Sequence, residues 1–372
     1  MKIKKAWIWG LVIVIVSLII LIIGFFLYNI KLSPSTNTNL EKCNTLIYNG
    51  QAKTNIVFFS DKENAQKYAD FFLQTEPFNN NKVNFNFYYI DSYTPKCEIY
   101  KNIATLCYSK QLIKVASSCP SDYIVVLDNQ EPRIRSSTYM NIISLNIASQ
   151  LSIFTHEFGH AFSNLADEYV PAEIPSNSKN CVSDCNNFLR DKDGCFKGCS
   201  KESYFRSING GVMRTLSSND YGLFNKNLIL DRISRTKNAL TGFAVGDQEV
   251  VDCSSQNYYL IEAVYTNEMI DIKDKTLENG CIGSNGYGGF SYSMVKIDGS
   301  TLATDEFNPE LIFTDIQLLG DEIIQGSASE SDRAFLLKVP VIKDAKELQI
   351  SKDSQLLSQI NLNDIGTRPC LG

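Results

Sequence analysis

Hydrophobic and polar positions divide the chain into three stretches of different character. The first is an uncharged apolar run from Ala6 to Leu27, preceded by Met1-Lys2-Ile3-Lys4-Lys5. At about 1.5 Å per residue, such a helix just spans a bilayer core of roughly 30 Å. Trp7 and Trp9 stand at its entrance and Tyr28 at its exit, as an aromatic belt requires. The leading lysines place its start in the cytoplasm and everything after it outside, and Gly24 to Asn29 offers no small-x-small cleavage site. The pattern therefore predicts a cytoplasmic tail over 1–5, an uncleaved transmembrane helix over 6–28 and a small, polar stalk over 29–48.

The second stretch, 49–245, mixes two periodicities. Asn55 to Ser60 is a short apolar run that reads as a buried strand, and Glu63 to Gln74 carries a helical stripe of Ala65, Tyr68, Ala69, Phe71 and Phe72. Val83 to Asp91 alternates as a strand with one wet face, whereas Tyr123 to Asn129 is apolar throughout and reads as a central strand. Arg133 to Asn146 is in part an edge strand beside a cleft. Ile147 to Asn164 turns Ile147, Leu151, Phe154, Phe158, Ala161 and Phe162 toward a core, and a helix over Asn219 to Leu240 closes the domain. Strand, helix and strand in this order make an α/β (α+β) layer. The third stretch, 250–372, has strand-like runs at Tyr258–Tyr265, Phe290–Ile297 and Ala334–Val339 separated by Gly, Asn and Asp turns, which predicts a C-terminal antiparallel β-sandwich.

Composition narrows the function. The formal net charge of −6 and the absence of a basic stripe beyond the N-terminus leave no nucleic-acid footprint. Eleven cysteines fit an oxidising, extracytoplasmic compartment, and their odd number leaves at least one unpaired within the chain. Cys181, Cys185, Cys195 and Cys199 form a C-x3-C…C-x3-C cluster that admits a zinc knuckle but outside a membrane reads as disulfides. Nothing in the pattern sets an oligomeric state.

Both histidines of the chain lie in His156-Glu157-Phe158-Gly159-His160. On a helix, positions i and i+4 share a face, so His156 and His160 can address one zinc ion, while Glu157 can reach a water on it as a general base. A catalytic zinc takes a third protein ligand. In the metzincin arrangement H-E-x-x-H-x-x-G-x-x-H/D, Ser163 would fill the glycine slot and Ala166 the ligand slot, so the strict spacing fails. Shifted by one residue it works, because Asn164 tolerates the left-handed turn and Asp167 falls at the ligand interval. Glu168 is the rival. Tyr169, Tyr204 and Tyr221 could donate to an oxyanion, but an aromatic near such a site is more often a wall, and they stay outside the catalytic set.

His156 to His160 with Leu165-Ala166-Asp167-Glu168-Tyr169 resembles the H-E-F-G-H…L-A-D-E-Y signature of the IgA peptidase family of zinc metallopeptidases, a metzincin-like group. The resemblance extends to Asn84-Phe85-Asn86, to the Tyr123 strand, and to Tyr204-Phe205-Arg206-Ser207…Gly211-Val212-Met213-Arg214, covering roughly residues 50 to 240. It implies a metzincin-like catalytic domain, zinc ligands at His156 and His160, a general base at Glu157 and a methionine turn at Met213. Ser163-Asn164 and Asn209-Gly210-Gly211-Val212 depart from the family pattern, and neither departure removes a ligand. The expectation is a membrane-anchored extracytoplasmic zinc endopeptidase acting on a protein or peptide. The competing expectation is a catalytically silent surface adhesin on the same scaffold.

Overall fold

The apolar runs between residues 44 and 146 assemble into one sheet, described in a computed structural model that covers residues 40–186, 188, 194–240, 252–266, 268–313 and 334–362. In chain order these are β1 (Asn44–Ile47), β2 (Thr54–Phe59), helix α1 (Lys62–Gln74), β3 (Phe85–Ile90), a small hairpin of β4 (Glu98–Tyr100) and β5 (Ala104–Leu106), helix α2 (Lys110–Ala116), β6 (Tyr123–Asp128), β7 (Ser137–Tyr139) and β8 (Ile142–Asn146). Helix α3 (Ser152–Ser163), the hairpin β9 (Phe196–Cys199) and β10 (Lys201–Arg206), and helix α4 (Leu223–Leu240) follow. The C-terminal residues supply β11 (Asn257–Thr266), β12 (Met269–Asn279), β13 (Phe290–Val295), β14 (Thr301–Phe307), β15 (Leu311–Phe313), β16 (Ala334–Pro340), β17 (Glu347–Lys352) and β18 (Gln355–Asn361).

The main sheet has the order β1-β3-β2-β6-β8-β7-β15. β3, β2, β6 and β8 run parallel, and β1, β7 and β15 are antiparallel to their neighbours. Alternation along each strand builds two cores. Ile56, Phe58, Phe85, Phe87, Tyr123, Val125, Ile143 and Leu145 meet α1, α3 and α4 on one face. Val57, Phe59, Tyr88, Ile90, Ile124, Val126 and Ile142 meet α2 and the residues Tyr258, Leu260 and Leu336 on the other. β11 and β16 thus serve two layers, because Ile261, Ala263, Phe335, Leu337 and Val339 on their opposite face pack against Phe290, Tyr292, Met294, Leu348 and Ile350 of a second antiparallel sheet, β14-β13-β17-β18. From Leu40 onward the chain is one compact unit.

The expected architecture is corrected in several places. Among the described residues no helix is long and apolar enough to cross a membrane. The 6–28 segment, with the rest of 1–39, lies outside the described residues. The long helix α4 carries Lys226, Asp231, Arg232 and Arg235, charges whose desolvation in hydrocarbon excludes it as a span. The described architecture therefore contains no transmembrane helix. The segment 29–48 is not all stalk: β1 pairs with β3, and Cys43 is bonded to Cys119 at the end of α2. β3 has no wet face, since Asn86 is buried and spends its amide on Asn49, Gly50 and Asn55. β7, expected to lie at an edge, has β15 paired along it. Helix α3 begins at Ser152 rather than Ile147, which belongs to the turn after β8.

Disulfides join Cys43–Cys119, Cys97–Cys107, Cys181–Cys199, Cys185–Cys195 and Cys253–Cys281. The C-x3-C…C-x3-C cluster is therefore a nested pair of bridges, with no thiolates left to hold zinc. Cys370 lies outside the described residues. Five disulfides are compatible with an extracellular location.

Candidate metal centre

Every residue of α3 is buried, and its two faces have different jobs. Phe154, Phe158, Ala161 and Phe162 enter the core beneath the sheet, with Phe158 and Phe162 stacked at 5.0 Å between ring centroids. His156 and His160 stand on the other face, their Nε2 atoms 3.0 Å apart. Gly159 lies between them because a side chain cannot: a Cβ there would sit 2.8 Å from the Met213 sulfur and 3.2 Å from the Tyr221 ring. Met213 is thus packed under the helix, directly beneath the histidine pair.

The helix stops at Asn164, which adopts the left-handed conformation with φ 51° and ψ 38° and donates its N–H to the His160 carbonyl. Its amide is held on both sides, donating to the Ser176 carbonyl and accepting from Asn308 Nδ2. That turn sends the chain back along the helix. Asp167 Oδ1 arrives 3.1 Å from His156 Nε2 and 3.3 Å from His160 Nε2. His156, His160 and Asp167 therefore bring one ligand atom each to a common point.

Asp167 and Glu168, the two rivals for the third ligand, meet different partners. Glu168 accepts from Asn180 Nδ2 at 3.1 Å and Asn225 Nδ2 at 2.8 Å, away from the histidines. Burial pushes its pKa up to about 7 despite those donors. The backbone around the pair is fixed by Asn180, which brackets Ala166, by Ser200 Oγ donating to the Asp167 carbonyl, and by the Glu168 N–H donating to the Met213 carbonyl. The Cys181–Cys199 bridge packs against this segment through Ala166.

The histidine tautomers are set from behind. His156 Nδ1 lies 2.8 Å from the Val212 carbonyl, and His160 Nδ1 lies 2.6 Å from the Leu165 carbonyl. Carbonyls only accept, so each Nδ1 carries a proton, and in a neutral imidazole the lone pair is then on Nε2. Neither buried oxygen of Asp167 receives a hydrogen bond. Two lone pairs and a carboxylate converging in a buried space repel one another unless a positive charge sits among them. Ligand atoms about 2.0–2.1 Å from a tetrahedral zinc stand roughly 3.3 Å apart, so the 3.0–3.3 Å separations fit that ion. The same demand appears in the proton affinities. Burial favours neutral His160, but the Asp167 carboxylate outweighs it and raises the imidazole pKa. Burial likewise works to raise the Asp167 pKa, and the two imidazoles hold it well below the ordinary carboxylate range.

Glu157, one residue after His156, is fully buried, and its Oε2 accepts from Thr138 Oγ1 at 2.8 Å. Tyr221 is committed elsewhere, its hydroxyl donating to the Thr155 carbonyl, which leaves it no role as an oxyanion donor. Sequence reasoning missed Thr138, Asn180, Asn225 and Asn308. None carries a local signal, since each acts on a residue brought near only by the fold. No protein-family model matches the chain, and no curated protein matches it.

Proposed function

We propose that this chain is an extracytoplasmic zinc metallopeptidase with ligands His156, His160 and Asp167 and general base Glu157. The observation that carries the reading is the convergence of two imidazole Nε2 atoms and a buried carboxylate beside a glutamate. Zinc bound there would supply a Lewis acid for the scissile carbonyl and an acidified water. The work of the chain is then proton handling and orientation. Val212 and Leu165 fix the imidazole tautomers through their carbonyls. Glu157 takes a proton from the attacking water and returns it to the departing amine, so one carboxylate serves both halves of the reaction. Met213 and Gly159 fix the floor of the site by close packing. The likeness of His156 to Tyr169 to the IgA peptidase signature favours a peptide bond as the target, and the five disulfides favour an exported setting.

A silent binding protein on the same scaffold is the second reading. One observation favours it: His156, Glu157, His160 and Asp167 are only 0–2% exposed. Elemental analysis of the purified chain, together with cleavage of casein, separates the two. The metallopeptidase reading expects one zinc per chain, loss of that zinc in His160→Ala, and a Glu157→Gln variant that keeps zinc while losing cleavage. A parent protein without zinc, or a Glu157→Gln variant as active as the parent, would sink it.

A further inference from the structure

Thr138 sits at the middle of β7, and strand alternation separates its surroundings from those of its neighbours. Ser137 donates to the Thr105 carbonyl and Tyr139 to the Ala334 carbonyl. Thr138 faces α3, where its hydroxyl oxygen lies 2.8 Å from Glu157 Oε2 and 3.1 Å from the Glu157 carbonyl. The hydroxyl has one proton to give, and the shorter, charge-assisted contact to the carboxylate takes it. Thr138 is itself buried, and its β-branched side chain leaves little rotamer freedom for the hydroxyl to wander. Strands hold it on both sides: Ile143 of β8 is its partner across one edge and Ile312 of β15 across the other.

We infer that Thr138 is a positioning residue for the Glu157 carboxylate, held in place by the β15 strand of the C-terminal region. The inference rests on the metallopeptidase reading. A carboxylate on a flexible side chain must be fixed at one oxygen if the other is to meet the attacking water, and Thr138 supplies that fixed point. Because β15 pairs register by register with β7, Leu311 to Tyr139, Ile312 to Thr138 and Phe313 to Ser137, the C-terminal region becomes part of the frame that aims the base.

Two substitutions separate hydrogen bonding from packing. Thr138→Val keeps the volume and loses the hydroxyl, whereas Thr138→Ser keeps the hydroxyl and loses a methyl group. With the full chain loaded with zinc and one quenched fluorescent peptide that the parent cleaves, Thr138→Val is expected to lower kcat about 10- to 100-fold with KM within about 2-fold of the parent. Thr138→Ser is expected to stay within about 3-fold of the parent kcat. Both should retain the parent zinc content. A packing role reverses the order of the two variants and overturns the inference, as does a Thr138→Val enzyme with the parent kcat while Glu157→Gln is inactive. If the parent cleaves nothing, or Glu157→Gln cleaves as fast, it is the metallopeptidase reading that fails. The hydrogen bond is then still read by infrared spectroscopy on protein carrying 13C-carboxyl glutamate. The carboxylate band that Glu157→Gln removes should shift in Thr138→Val and stay in Thr138→Ser, and an unshifted band in Thr138→Val overturns the inference.

Discussion

The two halves of this molecule bury polar groups to opposite ends. In the half built on the parallel strands, buried polar side chains converge: His156, His160, Asp167, Glu157, Glu168, Asn164 and Asn180 are all buried on α3 or in the chain that follows it. In the C-terminal half the core between the two antiparallel sheets is aromatic and aliphatic, drawn from residues such as Phe290, Met294, Phe335 and Ile350. Its buried cation, Lys338, lies on the other face of β16, toward the parallel sheet. The amine has no hydrogen-bond partner and stands 5.1 Å from the centre of the Tyr258 ring. The candidate metal centre lies in one half, and the other reaches it through Asn308 and β15.

The comparison is tested most severely at the adjacent carboxylates. Asp167→Ala is expected to weaken zinc binding by at least about 100-fold in a competitive chelator titration, because the neighbouring carboxylate, Glu168, is held on Asn180 and Asn225. Glu168→Gln should keep the parent affinity, since its partners are the amides of Asn180 and Asn225. The reverse result would move the third ligand by one residue and break the convergence described here.

A second test addresses the buried cation. Burial pushes the Lys338 pKa down to about 7, with partial relief from the Asp122 charge, whereas an unfolded lysine keeps its ordinary value of 10.5. Between those values the unfolded chain binds the extra proton, so this group makes stability rise with pH across that window and costs most below it. Lys338→Met should therefore stabilise the protein by about 1–3 kcal/mol at pH 7 and flatten the alkaline rise. Urea unfolding at pH 7 and pH 10 reads both effects. A destabilised variant at pH 7 would show that the amine has a compensating partner.

The smallest effect is expected at the link between the halves. Asn308 Nδ2 donates to Asn164 Oδ1 within the left-handed turn that precedes Asp167. Asn308→Ala strands that buried acceptor and should cost about 1 kcal/mol in urea unfolding, with zinc affinity lowered a few-fold. Unchanged values for both would confine the C-terminal half to a purely supporting role.

Much of the centre was readable before any coordinates. The helical period of Phe154, Phe158 and Phe162 set one face of α3 against the histidine face, and the side-chain amide of Asn164 marked where a left-handed turn could occur. Both are local properties, governed by residues within two turns of one another. The three residues of β7 were too few to show a period, and β15 is shorter than any reliable strand signal. Asn86 reads as wet because its partners, Asn49, Gly50 and Asn55, come from β2 and the loop before it. Cysteine pairing was hidden for the same reason, since Cys43 and Cys119 are 76 residues apart.

On its own, the chain specified a helix able to present two imidazoles and a glutamate, followed by a turn and two candidate carboxylates. Which carboxylate faces the imidazoles, which carbonyls orient them, and which hydroxyl holds Glu157 were decided by tertiary structure. The physical reason is that local spacing determines which side a residue takes on its own element, whereas a partner atom within 3 Å is set by how distant elements stack.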